Sequence, residues 1–180
     1  MSGPCLAQSR KLEKRTYRFL NDYYHNFNKR DKLAIETLTK VETVNSLENL
    51  LNFSFLDRKN PFSKNDSAVL IASLIDEDDL KYMKDQLRLW KDTRILNADQ
   101  LKSINKILLI QDDRSEQERL FPSFNTHHIY FPLFNLEGNI ALFYYEVNCG
   151  LQCGSGELEI LKMQKDGKWQ SIRKILVWIA

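Results

Sequence analysis

Glu157-Leu158-Glu159-Ile160-Leu161-Lys162-Met163-Gln164, Lys165-Asp166-Gly167 and Lys168-Trp169-Gln170-Ser171-Ile172-Arg173-Lys174-Ile175-Leu176-Val177-Trp178-Ile179 form the stretch that decides the fold. Asp-Gly between two β-type runs predicts a hairpin, because a type I′ turn needs positive φ at both central residues. Working backwards, residues 127–134 and 139–148 give two more extended runs, joined around Leu136-Glu137-Gly138. The four runs predict an antiparallel meander that closes the chain. Ile107-Leu108-Leu109-Ile110 is a further short strand candidate, and residues 112–126 read as a charged loop.

Ahead of the meander the period changes to that of helices. Leu12, Phe19, Leu20, Tyr23 and Phe27 recur near every third and fourth position, which predicts an amphipathic helix over residues 9–28, its apolar face widened by Tyr17, Tyr24 and His25. Asp76, Glu77, Asp78 and Asp79 open a second helix over 76–92. Negative charge suits that end, where N–H groups lack partners, and Leu80, Met83, Leu87 and Trp90 form the inward stripe. A calcium loop would need ligands spread around a glycine turn, which this segment lacks. A shorter helix is expected near 99–106. Residues 31–60 are ambiguous: Leu33, Ile35 and Leu38 fit a strand, whereas Val41, Val44, Leu47, Leu50 and Leu51 fit helical turns. Asn60-Pro61-Phe62-Ser63 is a turn signal, and Ala68-Val69-Leu70-Ile71-Ala72 is a buried segment of either type.

At 180 residues and 43% hydrophobic, the chain suffices for one domain with an unstapled core. Twenty-six Lys and Arg against 24 Asp and Glu leave a net charge of only +2, with the signs interleaved, which argues against a nucleic-acid surface. The basic run Arg10-Lys11-Leu12-Glu13-Lys14-Arg15 reads as a solvated helix face. No stretch approaches the ~20 apolar residues of a membrane span. Cys5-Leu6-Ala7-Gln8 looks like the end of a secretory signal cut after Ala7, so residues 1–8 read as a signal remnant or tail and 9–180 as a single α+β domain. An extracytoplasmic protein, periplasmic or secreted, is expected.

Residues 149–156, Cys149-Gly150-Leu151-Gln152-Cys153-Gly154-Ser155-Gly156, hold two of the three cysteines and three of the six glycines in what reads as one turn between strands. In an oxidising compartment Cys149 and Cys153 would pair and fix the loop; free thiols, zinc binding and a reactive cysteine are the alternatives. Zinc would draw on His127 and His128, whose neighbouring strand positions point to opposite faces, so no metal site is expected. A cysteine nucleophile, or Ser155, would need His25, His127 or His128 as a base. Ser155 sits directly between glycines and precedes a strand, unlike a nucleophile elbow. No cofactor is implied.

Among the aromatics, Tyr23, Tyr130, Phe143, Tyr145 and Trp169 are the candidates to line a ligand cleft, because each is large and the tyrosines and tryptophan carry a polar tip. The competing reading places them in the core.

Tyr130-Phe131-Pro132-Leu133-Phe134, the run 139–145, Cys149-Gly150, Cys153-Gly154-Ser155-Gly156, Gly167-Lys168-Trp169 and Trp178-Ile179 together resemble the carboxy-terminal signature of a group of uncharacterised exported bacterial proteins. Residues 76–87 are similar to a segment that precedes it there. The resemblance spans roughly 75–180 and implies export and one fold unit, with no catalytic residue. Helices on a curved meander also resemble cystatin-like and nuclear-transport-factor-like domains. The expected architecture is α+β, with the amino-terminal and central helices covering one face of a carboxy-terminal four-strand antiparallel meander. The expected function is a non-catalytic extracytoplasmic binding or interaction domain for a protein partner or small molecule. The alternatives are an immunity or inhibitor protein against a secreted toxin, and a small hydrolase or thiol enzyme.

Overall fold

The computed structural model describes residues 4–25, 33–36, 38–39, 73–89, 94–95, 97–101, 108–110, 125–150 and 153–179. Its elements are α1 (Pro4–His25), β1 (Leu33–Glu36), β2 (Leu38–Thr39), α2 (Glu77–Leu89), β3 (Arg94–Ile95), β4 (Leu108–Ile110), β5 (Asn125–Ile129), β6 (Leu133–Phe134), β7 (Ile140–Gly150), β8 (Cys153–Met163) and β9 (Trp169–Ile179). A 3₁₀ turn occupies Ala98–Gln100 where a helix over 99–106 is expected. The turn at 60–63 and the apolar run 68–72 lie outside the described residues.

The architecture is α+β. Strands β5, β7, β8 and β9 pair antiparallel in that order, and β6 pairs with β7 beside β5. This is the expected meander. It is extended beyond β5 by β1 and then β4, with β1 parallel to both neighbours, so the sheet has seven strands among the described residues. A parallel pair needs a crossover, and α2 lies in the chain between β1 and β4. Strands β2 and β3 form a separate antiparallel pair.

The two helices cover opposite faces of the sheet rather than sharing one. Leu12, Tyr17, Phe19, Leu20 and Tyr24 of α1 pack against Ala141, Phe143, Tyr145 and Leu161, whereas Met83 and Leu87 of α2 pack against Leu133, Ile140, Leu142, Tyr144, Leu158 and Ile160. Strand β7 explains the difference. Ile140-Ala141-Leu142-Phe143-Tyr144-Tyr145 is apolar at consecutive positions and buried throughout, and such a strand needs cover on both sides.

Helix α1 starts at Pro4, ahead of the expected residue 9, because proline is tolerated in a first turn, where its missing N–H has no partner to lose. Helix α2 is capped as expected: the Asp76 carboxylate accepts the Asp79 N–H at 2.8 Å. Farther along, α2 ties down β6. Buried Gln86 donates through Nε2 to the Phe134 carbonyl at 2.6 Å and accepts the Phe134 N–H at 3.0 Å, and Asp79 accepts the Leu136 N–H at 2.8 Å. A side-chain amide thus stands in for a neighbouring strand.

Among the described residues two turns use positive φ. Gly138 adopts +75° while Asn135 Oδ1 accepts the N–H groups of Gly138, Asn139 and Ile140. Gly167 adopts +82°, and the Gln164 N–H reaches the Lys168 carbonyl at 2.8 Å around Lys165-Asp166-Gly167. Asp166 does not share the positive φ. The hairpin therefore closes with a three-residue loop ending in a left-handed glycine, not with the type I′ turn expected from Asp-Gly.

Candidate functional site

The stretch 149–156 is not an eight-residue turn. Strand β7 runs to Gly150 and β8 begins at Cys153, paired with Gly150, so only residues 151–152 connect them. The register slips between Asn148 and Gly150. Gly154 and Gly156 are strand residues, and their lack of a side chain makes room for Trp178 of β9. A Cβ on Gly156 would collide with the indole of Trp178 and come within 2.6 Å of the Tyr144 hydroxyl; one on Gly154 would lie 3.2 Å from the indole. The indole N–H donates to the Tyr144 hydroxyl at 3.0 Å, and that hydroxyl donates to Glu146 at 2.9 Å. The glycines thus serve a close side-chain approach, not a turn.

Four of the five aromatic cleft candidates meet on the α1 face. Phe19 contacts Tyr23, Phe143 and Trp169 with ring centroids 5.8, 5.2 and 5.2 Å apart, and Tyr23 contacts Phe143 and Tyr145 at 4.9 and 6.4 Å. Tyr130 lies on the other face, tilted against Tyr144. Phe143 and Tyr145 are fully packed, while Tyr23 and Trp169 are half-buried. Trp169 borders a shallow cleft of about 330 Å³, lined also by Arg18, Asn21, Asp22, His25 and Lys168. Its backbone N–H donates to the Asp22 carboxylate at 2.9 Å.

Sequence reasoning missed the polar network beneath β9. Tyr23 donates to Glu159 at 2.6 Å, Tyr145 donates to Glu157 at 2.6 Å, and Lys174 donates to the Tyr145 hydroxyl at 3.1 Å while standing 3.6 Å from Glu159. Glu159 is only 2% exposed. The tyrosine tips thus bind carboxylates of the protein itself. Burial raises the Tyr23 and Tyr145 hydroxyls, the latter to about 12, with the neighbouring carboxylates adding to the rise. Burial pulls Lys174 down, but the Tyr145 hydrogen bond and the two glutamates outweigh it, so its ammonium is strengthened. The signal was present in sequence: Glu157 and Glu159 fall two apart, in phase with apolar Leu161 on the aromatic face.

The most exposed apolar surface among the described residues lies on β9. Ile172, Leu176, Trp178 and Ile179 are 37%, 53%, 38% and 71% exposed, and only Leu136 joins them among large hydrophobics. The run 175–179 is apolar at every position, the composition of a strand covered on both faces, yet among the described residues β9 is the last strand on its side of the sheet.

The catalytic alternative draws no assembled pair from the described residues. His127 and Ser155 both pair with Val147, from opposite sides, so two strand spacings, roughly 10 Å, separate them. His127 is buried, stacked on Tyr145 at 5.4 Å with Nδ1 3.5 Å from the Tyr24 hydroxyl. Burial, then His128 and Lys174, lowers its pKa to about 4. Cys153 is exposed at the start of β8; the Cys149 side chain lies outside the described residues. No group of three His, Cys, Asp or Glu among the described residues is placed to hold a metal ion, and no described helix is long and apolar enough to cross a membrane. No protein-family model matches the chain, and neither a curated protein nor a solved structure does.

Proposed function

We propose that the protein is a non-catalytic binding domain, working outside the cytoplasm, that engages a protein partner through the β9 edge. The observation that carries the reading is the exposure of Ile172, Leu176, Trp178 and Ile179, spread over both faces of an eleven-residue strand. Exposed apolar surface concentrated on one element marks an interaction site, and sheet edges usually avoid it. An inhibitor of a secreted toxin is the special case in which that partner is the toxin. Chemistry by Cys149, Cys153 or Ser155 is the weaker reading, given the Val147 that separates His127 from Ser155. Small-molecule binding would fall to the cleft beside Trp169, and no nucleic-acid role is proposed.

Export is supported by the resemblance at residues 75–180 and by Cys5-Leu6-Ala7-Gln8. Pairing of Cys149 with Cys153 belongs to the same reading. The register partner of Cys153 is Gly150, which adjoins Cys149 in the chain. The deciding experiment is capture from a native cell envelope with the wild-type chain and with Leu176→Lys, both checked for equal melting. A partner retained by the first and lost by the second is expected; equal capture by both would defeat the reading.

A further inference from the structure

We infer that the cleft beside Trp169 binds a free α-amino acid with a large apolar side chain, an inference independent of the β9 reading above. Helix α1 supplies one wall and the β8–β9 hairpin the other, around a volume of about 330 Å³. Both walls are fixed. The Asp22 carboxylate accepts the Trp169 N–H at 2.9 Å, Asp166 Oδ1 accepts the Lys168 N–H at 3.1 Å, and the Trp169 ring packs edge-on against buried Phe19 with centroids 5.2 Å apart. A site held in place before its ligand arrives loses little in ordering. Arg18, Asp22 and His25 line the cleft from one stripe of α1, at i, i+4 and i+7. Arg18 and Asp22 have the spacing of an intrahelical ion pair, yet none forms. Asp22 turns to the hairpin, and Arg18 has no hydrogen-bond or ion-pair partner among the described residues. Its Nη2 rests against the turn, 3.6 Å from where a Cβ on Gly167 would sit.

The charges of the cleft select the ligand. Its fixed charges are Arg18 and Lys168 against Asp22 and Asp166, with Lys168 and Asp166 4.0 Å apart. A ligand of one sign would meet a like charge beside every opposite one, so the complement is a dipolar molecule. One helical turn sets Arg18 and Asp22 about 5–6 Å apart at Cβ. Neighbouring opposite charges on the protein call for neighbouring opposite charges on the ligand. An α-amino acid carries carboxylate and ammonium on one carbon: the first takes the Arg18 guanidinium, and the second takes Asp22 Oδ1, since Oδ2 holds Trp169. A peptide puts its terminal charges on different residues and fits this pair less well. The ligand side chain then lies on half-buried Trp169, whose indole favours an aromatic ring or a large aliphatic group.

The test uses the full chain and four probes: L-phenylalanine, L-alanine, N-acetyl-L-phenylalanine, which lacks the ammonium, and L-phenylalaninamide, which lacks the carboxylate. Each is titrated into isotope-labelled protein while the Trp169 indole N–H resonance is followed against those of the other two tryptophans. L-Phenylalanine should shift the Trp169 signal saturably, and the other three should bind at least roughly tenfold more weakly. Arg18→Gln, at an exposed position with no partner to lose, should melt like the wild type and weaken L-phenylalanine by a similar factor or more. Equal binding of the acetylated probe would mark a plain anion site and equal binding of the amide a plain cation site; either overturns the inference. Equal binding of L-alanine overturns the role given to Trp169. Absence of a saturable shift up to the solubility of L-phenylalanine, or undiminished binding by Arg18→Gln, overturns it as well. Partner capture through β9 is decided by its own variant, so either reading can fail while the other stands.

Discussion

Gly156 sits under the indole of Trp178 and beside the Tyr144 hydroxyl, so a methyl group there has nowhere to go. Gly156→Ala should cost about 1–3 kcal/mol in urea unfolding, the range for inserting a methyl into a filled space. Gly154→Ala, with contacts of 3.2 Å, should cost less. Combining Gly156→Ala with Trp178→Ala should recover part of the loss; strict additivity would show that the indole is not what excludes the methyl. The crowding of glycines at 149–156 was legible as a geometric demand, but its object was not. The partner side chain lies more than twenty positions away across a strand pair, and local spacing carries no record of it. His127 offers a second check. Its folded pKa, about 4, lies below the ordinary value of 6.5, so the unfolded chain binds more protons between them. Stability from this residue is then fully present above pH ~6.5 and is lost as pH falls toward 4, by up to about 3 kcal/mol. Unfolding free energies across that window should rise with pH in the wild type and flatten in His127→Gln.

Helix α2 holds β6 by an amide and a carboxylate rather than by apolar contact alone. Gln86→Leu keeps the volume and strands both the N–H and the carbonyl of Phe134, so it should cost about 2–6 kcal/mol at one to three per orphaned group. A loss near zero in chemical denaturation would mean that water replaces the amide. The aromatic elements separate likewise. Tyr145→Ala removes a fully packed ring and should cost about 3–5 kcal/mol, whereas half-buried Trp169, at the cleft, should cost less. At this scale the sequence was informative wherever periodicity was strong: α1, α2 and the four runs of the meander were legible. It misplaced the helices, setting both on one face where the structure puts them on opposite faces. The answer lay in the unbroken apolar run 140–145 of β7, which demands cover on both sides and so excludes a shared face.

Across the whole molecule, β4 was legible as a strand candidate and β1 as one of two readings, but their parallel pairing escaped the sequence, because pieces of four residues or fewer find their neighbours only through long-range contacts. The candidate site escaped it for the opposite reason. Residues 175–179 have the composition of a central strand, and only the topology reveals that among the described residues they form the last strand on their side of the sheet. Burial and position therefore predict a gradient of protection. Strand β7 is paired on both edges and covered on both faces, so its amides should exchange only through global opening. Among the described residues strand β9 pairs with β8 alone, and its amides that do not bond β8 should exchange more readily than those that do. Native-state hydrogen exchange on the isolated chain checks this directly. An alternating fast and slow pattern along 173–176 is the signature of a strand paired on one side, and uniform protection equal to that of β7 would mean the edge is already occupied.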